Sequence, residues 1–254
     1  GKDGRNINQD SYEATREYIR LDKKFKDVKA DQVKKKDKKD YDEYLKIKED
    51  IDKKVESAES NLSQIETTLN MIQTNLENIN AIEAGEDQNL NMGKMIMTQI
   101  INSGEFQTTN MDSIITLVND ELNEGVKHFK NQIDYSYNLN FDPRKDIVKD
   151  NYDDYTEKFY GNNDVEGPEA SHGTHVAGII GADRTNKIGI QGVADQAILM
   201  SVRAVPDGDE RDKDIANAII YAVNNGAKVI NMSFGKGYSP GKKYVDQAVK
   251  YAAK

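Results

Sequence analysis

The chain has 254 residues, of which 37% are hydrophobic and 31% charged, and its formal net charge is -9. That length suits one or two domains, and so many charged side chains indicate long helices with wide solvated faces. The acidic balance argues against a nucleic-acid partner, which needs clustered Lys and Arg. Because cysteine is absent, disulfides and thiol catalysis are excluded and the compartment is left open. No apolar run approaches the roughly 18 residues of a membrane span.

Residues 10–133 lack proline and carry apolar side chains at helical spacing. This spacing predicts one apolar seam on each of two helices, as in a coiled coil. The seam residues are Ala14, Tyr18, Leu21, Phe25 and Val28 in the first helix, and Ile51, Val55, Ala58, Leu62, Ile65, Leu69, Ile72, Leu76 and Ile79 in the second. We expect residues 10–82 to form an antiparallel hairpin that turns in the Lys-rich residues 33–40, with the second seam buried against the first helix.

Two further features are predicted in this first half. Residues 84–93 are rich in Gly, Asn and Asp, which is typical of a loop, and residues 111–133 carry another amphipathic helix. We expect the helical region to pack on itself in preference to forming an intermolecular coiled coil, and bracing the fold and contacting a partner protein are both open as its role.

The amino-acid composition changes after Asn138: all four prolines lie in this second part, and glycine becomes frequent. Residues 197–202 and 228–233 are short apolar runs that predict buried strands, and between them Ile215, Ile219 and Val223 mark a helix closed by Asn225-Gly226. A strand, a helix and a strand of these lengths predict a right-handed parallel crossover. The expected fold class is therefore α/β, a partial parallel sheet with flanking helices, plus the inserted helical hairpin.

The most informative stretch is Ser171-His172-Gly173-Thr174-His175-Val176-Ala177-Gly178. It resembles the histidine motif of the subtilase family, the subtilisin-like serine peptidases. On that resemblance His172 is the catalytic general base, which deprotonates a serine hydroxyl, and His175 is a structural neighbour.

Three later segments match the same family in the same order. Ile188–Ala194 is similar to the loop after the histidine helix, and Met232-Ser233-Phe234-Gly235 is similar to the stretch that pairs with an extended substrate. Pro206-Asp207-Gly208-Asp209 lies where the family has the facing edge of the cleft. The resemblance thus implies a protein or peptide substrate bound by Ser233, Phe234, Gly235 and Gly208. It requires no cofactor, and it leaves structural calcium open for the parent protein.

The departures from the family pattern matter equally. No Val-Ile-Asp-x-Gly motif precedes His172, and no Gly-Thr-Ser-Met-Ala motif follows it. We therefore expect an internal fragment of a serine endopeptidase, inactive alone, whose parent is exported (periplasmic, cell-surface or secreted). The expected domains are a peptidase segment at 1–9, the helical insertion at 10–137 and a partial catalytic domain at 138–254. The alternative is a non-catalytic helical interaction module on a degenerate peptidase-like scaffold.

Other interpretations of the same residues are weaker. His172 and His175 lack the further ligands that zinc needs, so no metal site is predicted there. Gly237-Tyr238-Ser239-Pro240-Gly241 fits the nucleophile-elbow pattern, but Pro240 has no N–H to serve as an oxyanion donor. Asn186 with the carbonyls of Ile188 and Ile190 resembles part of a calcium loop, although a plain surface turn is favoured.

Overall fold

The computed structural model describes residues 1–81 and 111–254, and the side chains of residues 1–74 and 115–254. The loop predicted at 84–93 lies outside the described residues. In the described ranges the chain forms seven α-helices: α1 (Glu13–Phe25), α2 (Lys38–Ala81), α3 (Met111–Asn131), α4 (Pro143–Ile147), α5 (Ser171–Gly181), α6 (Asp212–Asn224) and α7 (Lys242–Ala252). Two 3₁₀ turns, Ala30–Gln32 and Lys35–Asp37, precede α2, and a π-helical turn, Gln132–Ser136, follows α3.

The chain divides into two compact units. The first comprises Gly1–Ile47 with Tyr135–Lys254, and the second comprises Lys48–Asp134. The candidate site residues all belong to the first unit.

Helix α1 packs against the start of α2. The rings of Tyr18 and Tyr44 stack with their centroids 5.5 Å apart, and Phe25 meets Tyr41 edge-on at 5.3 Å. Residues later in α1 thus contact residues earlier in α2, so the two segments run antiparallel. The reversal takes place over residues 26–37, through the two 3₁₀ turns, so it overlaps the Lys-rich residues 33–40 predicted for it but begins earlier.

The second seam was predicted to be buried against the first helix, and this prediction is wrong for most of the seam. Helix α1 has 13 residues and α2 has 44, so α1 spans only about 20 Å of a helix about 66 Å long. Within the second unit, α3 lies beside α2: Gly125 is close to Ile65, and Lys130 pairs with Glu66 at 3.1 Å. Leu76 and Ile79 lie outside the described side chains.

Helices α6 and α7 form the apolar core of the second half of the chain. Ile215, Ile219 and Ala248 are buried together, and the partly buried Ile230 packs against them. Helix α6 ends in a Schellman motif, in which the Ala227 N–H donates to the Ala222 carbonyl and the Gly226 N–H to the Val223 carbonyl. Gly226 has φ +88°, a conformation that favours glycine, which confirms the predicted end of this helix.

The predicted α/β sheet is wrong for the described residues. Residues 197–202 and 228–233 form no strands there, and the recorded bridge is a single parallel pairing of Gln9 with Asp207. Two apolar side chains of these segments, Ile198 and Val229, are 99% and 87% exposed. The reason is that an internal parallel strand needs ladder partners on both sides, and these two segments do not pair with each other. The described structure is helical, with unpaired connecting segments.

Candidate functional site

His172 lies in the first turn of α5, and its side chain is exposed. The preceding residue is held by a hydrogen bond from the Ser171 N–H to the Glu169 carboxylate at 2.9 Å. In the described part of the chain, His172 makes no side-chain hydrogen bond or ion pair. A triad histidine donates its Nδ1–H to an aspartate, and among the described residues the accessible His172 ring has no such carboxylate.

At the other end of α5, the loop that follows the helix donates hydrogen bonds to carbonyls of its last turn. The N–H groups of Val193 and Ala194 donate to the carbonyls of Ile179 and Ile180 at 3.0 and 2.8 Å, and Gly192 N–H donates to the Ala182 carbonyl. These bonds satisfy carbonyls that a helix end leaves without intrahelical partners. The loop therefore fixes the helix that presents His172.

Gly192 allows this close packing. A Cβ at position 192 would lie 2.3 Å from the backbone nitrogen of Ala182, which no side chain tolerates. Gly181 has more room, since a Cβ there would meet the side chains of Ala197 and Leu199 at 3.6 and 3.7 Å, in ordinary contact. The end of helix α5 therefore lies against the extended segment at 197–199.

Ser233, Phe234 and Gly235 are all exposed. The Asn231 amide donates to the Ser233 hydroxyl at 2.9 Å. Among the described residues, the backbone of 231–235 makes no hydrogen bond. The peptide groups of this stretch are thus accessible to an added strand, which is what backbone pairing with a substrate requires. No hydrogen bond or ion pair of the described residues joins this stretch to His172.

Gly208 has a different environment from the other predicted substrate contacts. Its φ is +143°, and a Cβ there would lie 2.3 Å from the carbonyl oxygen of Asp10. The neighbouring Asp207 pairs with the amino-terminal segment: Asp10 N–H donates to the Asp207 carbonyl at 2.9 Å, and Asp207 N–H to the Asn8 carbonyl at 2.8 Å. Gly208 therefore packs against residues 8–10, and its role in substrate binding stays a prediction.

Sequence reasoning missed a buried ionic cluster around the start of α6. Arg211 donates from Nε and Nη2 to the two carboxylate oxygens of Asp10 at 2.8 and 2.9 Å, and Lys213 donates to Asp150 at 2.6 Å. Arg144 bridges Asp150 and Asp214. Apart from Arg144 and Asp150, these pairs join residues 63 to 201 positions apart, so no local pattern distinguishes them from solvated charges.

A cavity of about 830 Å³ adjoins α6. Polar side chains on its wall include Asn6, Tyr160, Asn162, Arg203, Asp214 and Asn217. None of the predicted site residues lines it. The cavity therefore does not coincide with the candidate catalytic and substrate-binding residues.

The described residues contain no group of three or more His, Cys, Asp or Glu side chains that could hold a metal ion. The side-chain oxygen of Asn186, the residue considered for a calcium loop, accepts the Ile188 N–H at 2.9 Å. Within the described ranges, no helix combines the length and apolarity needed to cross a bilayer.

A sequence model of the Subtilase family matches residues 72–254, more than half of the chain, and starts upstream of the stretch in which motifs were recognised. The thermophilic serine proteinase of Bacillus sp. (strain AK1) is 50% identical over 66 residues, which cover 26% of this chain and 16% of that protein.

Two other similar proteins match over comparable lengths. Thermitase of Thermoactinomyces vulgaris is 43% identical over 82 residues, covering 32% of this chain and 29% of thermitase. The cell wall-associated protease of Bacillus subtilis (strain 168) is 40% identical over 86 residues, covering 34% of this chain and 10% of that protein. The matched segments thus span less than a third of these relatives. No solved structure matches the chain.

Proposed function

This chain belongs to the subtilase family, and we propose that the protein containing it is a serine endopeptidase in which His172 is the general base. The observation that supports this most strongly is the family match over residues 72–254. The structure adds that His172 is exposed at the start of helix α5, whose other end is held by the following loop. The proposed substrate is a protein or peptide.

His172 is proposed to act first as general base and then as general acid, and both roles need an accessible ring such as this one. The ring takes the proton of the nucleophilic serine as the serine oxygen bonds to the scissile carbonyl carbon. It then gives this proton to the amine nitrogen as the C–N bond breaks, which leaves an acyl-enzyme that water hydrolyses. Ser233, Phe234 and Gly235 align the substrate by backbone pairing, which is compatible with the exposed backbone of 231–235.

Other segments of the protein supply the nucleophile and the aspartate in this proposal. The motifs Gly-Thr-Ser-Met-Ala and Val-Ile-Asp-x-Gly do not occur in these 254 residues. In addition, His172 has no carboxylate partner among the described residues. The 254-residue chain by itself is therefore proposed to be inactive, and the proposal includes export of the whole protein, because one similar protein is described as cell wall-associated.

A non-catalytic helical interaction module is the alternative. It is favoured by the length of α2, which has 44 residues, most of them in the second unit. Sequence on both sides of this segment discriminates the two functions. An aspartate motif before it and a serine motif after it support the enzyme, whereas degenerate versions of both support the module.

The experiment compares the full-length protein with its His172→Ala and His175→Ala variants on a peptide substrate. His175 lies one turn further along α5 and is also exposed, so it is a matched control. His172→Ala is expected to lower kcat by several orders of magnitude because the general base is lost. His175→Ala is expected to retain most activity. The proposal fails if a folded His172→Ala variant keeps its turnover, or if only His175→Ala loses it.

Active-site labelling provides a second test. A fluorophosphonate probe is expected to label the full-length protein at one serine, and the chain of 254 residues at none. Stoichiometric labelling of a serine within the 254 residues would contradict the assignment of the nucleophile to another segment.

A further inference from the structure

The exposed stretch 231–235 lies between two anchors. On one side, Ile230 packs against the apolar core of α6 and α7. On the other side, Lys236 directly follows Gly235, and its side chain is only 4% exposed. The position of the stretch therefore depends on what holds these two residues.

The ammonium group of Lys236 has two hydrogen-bond acceptors and one further ionic partner. It donates to the Glu210 carbonyl at 2.6 Å and to the Glu13 carboxylate at 3.0 Å, and the Asp212 carboxylate lies at 3.1 Å. The side chains of Glu13 and Asp212 are each 3% exposed. A buried ammonium with these partners holds one defined position, because leaving it would remove the cationic partner of Asp212 and one of the two cationic partners of Glu13.

Both carboxylates are fixed in turn. Glu13, the first residue of α1, accepts from Arg16 at 2.7 Å, and its own N–H donates to Asp209 at 2.8 Å. Asp212, the first residue of α6, accepts from the Ser239 hydroxyl at 2.8 Å and from the Gly241 N–H at 2.7 Å. Lys236 thus joins the start of α1 to the start of α6 immediately beside the exposed stretch.

We propose that Lys236 is a positioning residue for the substrate-pairing stretch 231–235, and that it acts through Glu13 at the first residue of α1. This inference rests on the proposed function, because it takes 231–235 to be the stretch that pairs with substrate. It gives the helical region a role in the reaction, since α1 supplies Glu13, one of the groups that fix the position of residues 231–235. Lys236 does not contact the reacting atoms.

The test uses the full-length protein and two kinds of substrate. One is a peptide long enough to pair with 231–235, and the other is a short single-residue ester that does not reach this stretch. Lys236→Met and Glu13→Gln are each expected to raise KM for the long peptide and so to lower kcat/KM by roughly ten- to hundred-fold. The reason is that a displaced stretch 231–235 aligns the peptide poorly. The ester is expected to be hydrolysed at the wild-type rate. The double variant is expected to lose no more than the more severe single variant.

Lys242→Met is the matched control. Lys242 lies six positions further along and pairs with Asp246, but both side chains are exposed, at 69% and 49%. This variant is expected to hydrolyse both substrates as the wild type does. Equal losses on both substrates in Lys236→Met and Glu13→Gln, or unchanged hydrolysis of the long peptide, would overturn the positioning role.

Amide chemical shifts separate failure of this inference from failure of the proposed function. If the full-length wild type hydrolyses neither substrate, the proposed function fails. The positioning role is then decided by the amide resonances of 232–236, which must shift or broaden in Glu13→Gln relative to the wild type while those of α5 do not. Unchanged resonances at 232–236 would overturn it.

Discussion

The ammonium of Lys213 lies 2.6 Å from the carboxylate of Asp150, and both side chains are completely buried. Lys213 also donates to the carbonyl of Asn151 at 2.6 Å, and Asp150 accepts from Nε of Arg144 at 2.7 Å. Each charge therefore has a partner and further hydrogen bonds, which is the condition under which ions are tolerated in a protein interior. The pair ties the segment after α4 to the start of α6.

Breaking this pair is expected to destabilise the first unit strongly. Lys213→Met removes one of the two cations that neutralise the buried Asp150 carboxylate while Arg144 still donates to it, so the free energy of unfolding should fall by about 1–3 kcal/mol. Lys53→Met is the control, because Lys53 and its partner Glu49 are 70% and 69% exposed and solvent screens their attraction. Urea titrations followed by circular dichroism measure both. Equal, small losses in the two variants would contradict a structural role for the buried pair.

The same carboxylate predicts acid sensitivity. Burial opposes ionisation of Asp150, but hydrogen bonds from Arg144 and Lys213 outweigh it and hold the pKa below its usual value of 3.8. A pKa lowered by folding adds stability that is present above the unfolded pKa and is lost as the pH falls through the folded one. The free energy of unfolding should therefore decline below about pH 4.

Asp150→Asn isolates this contribution. The variant should show a shallower decline of the unfolding free energy below about pH 4, because the group that binds a proton is gone. Asp209 contributes with the opposite sign, since burial raises its pKa, so the wild-type curve alone does not assign the effect. Urea titrations at a series of acid pH values measure the slope. An identical slope in wild type and variant would show that other carboxylates dominate.

Local sequence signals predicted the helices around the candidate site. The residues Ile215 and Ile219 did mark the buried face of α6, and Gly226 did supply the left-handed residue of its cap. The histidine motif also begins a helix at Ser171. These features depend on residues within a few positions of one another, so the sequence alone carries them.

Features that depend on distant partners were not predicted. The apolar run at 197–202 indicates an extended buried segment, but it does not identify a pairing strand, and Ile198 is exposed in the structure. The apolar seam of α2 predicts that another apolar surface packs against it, but it does not identify α3 as the helix beside Ile65. Likewise, no local pattern joins Arg144 to Asp214, which is 70 positions away.

The stacked rings of α1 and α2 predict a graded series of stability losses. Tyr44→Ala removes a buried ring that stacks on Tyr18, so the free energy of unfolding should fall by about 3–5 kcal/mol. Tyr44→Phe keeps the ring but loses the hydrogen bond to Asp22, at 2.9 Å, and should cost about 1 kcal/mol. Leu45→Ala, on the exposed face of the same turn, should cost much less. A Tyr44→Ala loss no larger than that of Leu45→Ala would contradict this packing.

Gly125 in α3 offers a test in which two effects oppose each other. Glycine inside a helix is less favourable than alanine by about 1 kcal/mol, so Gly125→Ala gains helix propensity. The new Cβ would lie 2.9 Å from Cδ1 of Ile65, which is too close without movement. However, that atom is the tip of a flexible side chain, and a rotation of Ile65 relieves the contact at small cost.

We therefore expect Gly125→Ala to be neutral or to raise the free energy of unfolding by up to about 1 kcal/mol. Gly125→Val carries two further methyl groups towards α2 and loses helix propensity, so it should destabilise by about 1–3 kcal/mol. Thermal unfolding followed by circular dichroism distinguishes the two variants. A clear loss of stability in Gly125→Ala would mean that Ile65 is unable to move, and that α2 and α3 pack more tightly at this point than the flexible contact implies. In that case the paired variant Gly125→Ala/Ile65→Val should recover stability, because the shorter side chain removes the obstructing Cδ1.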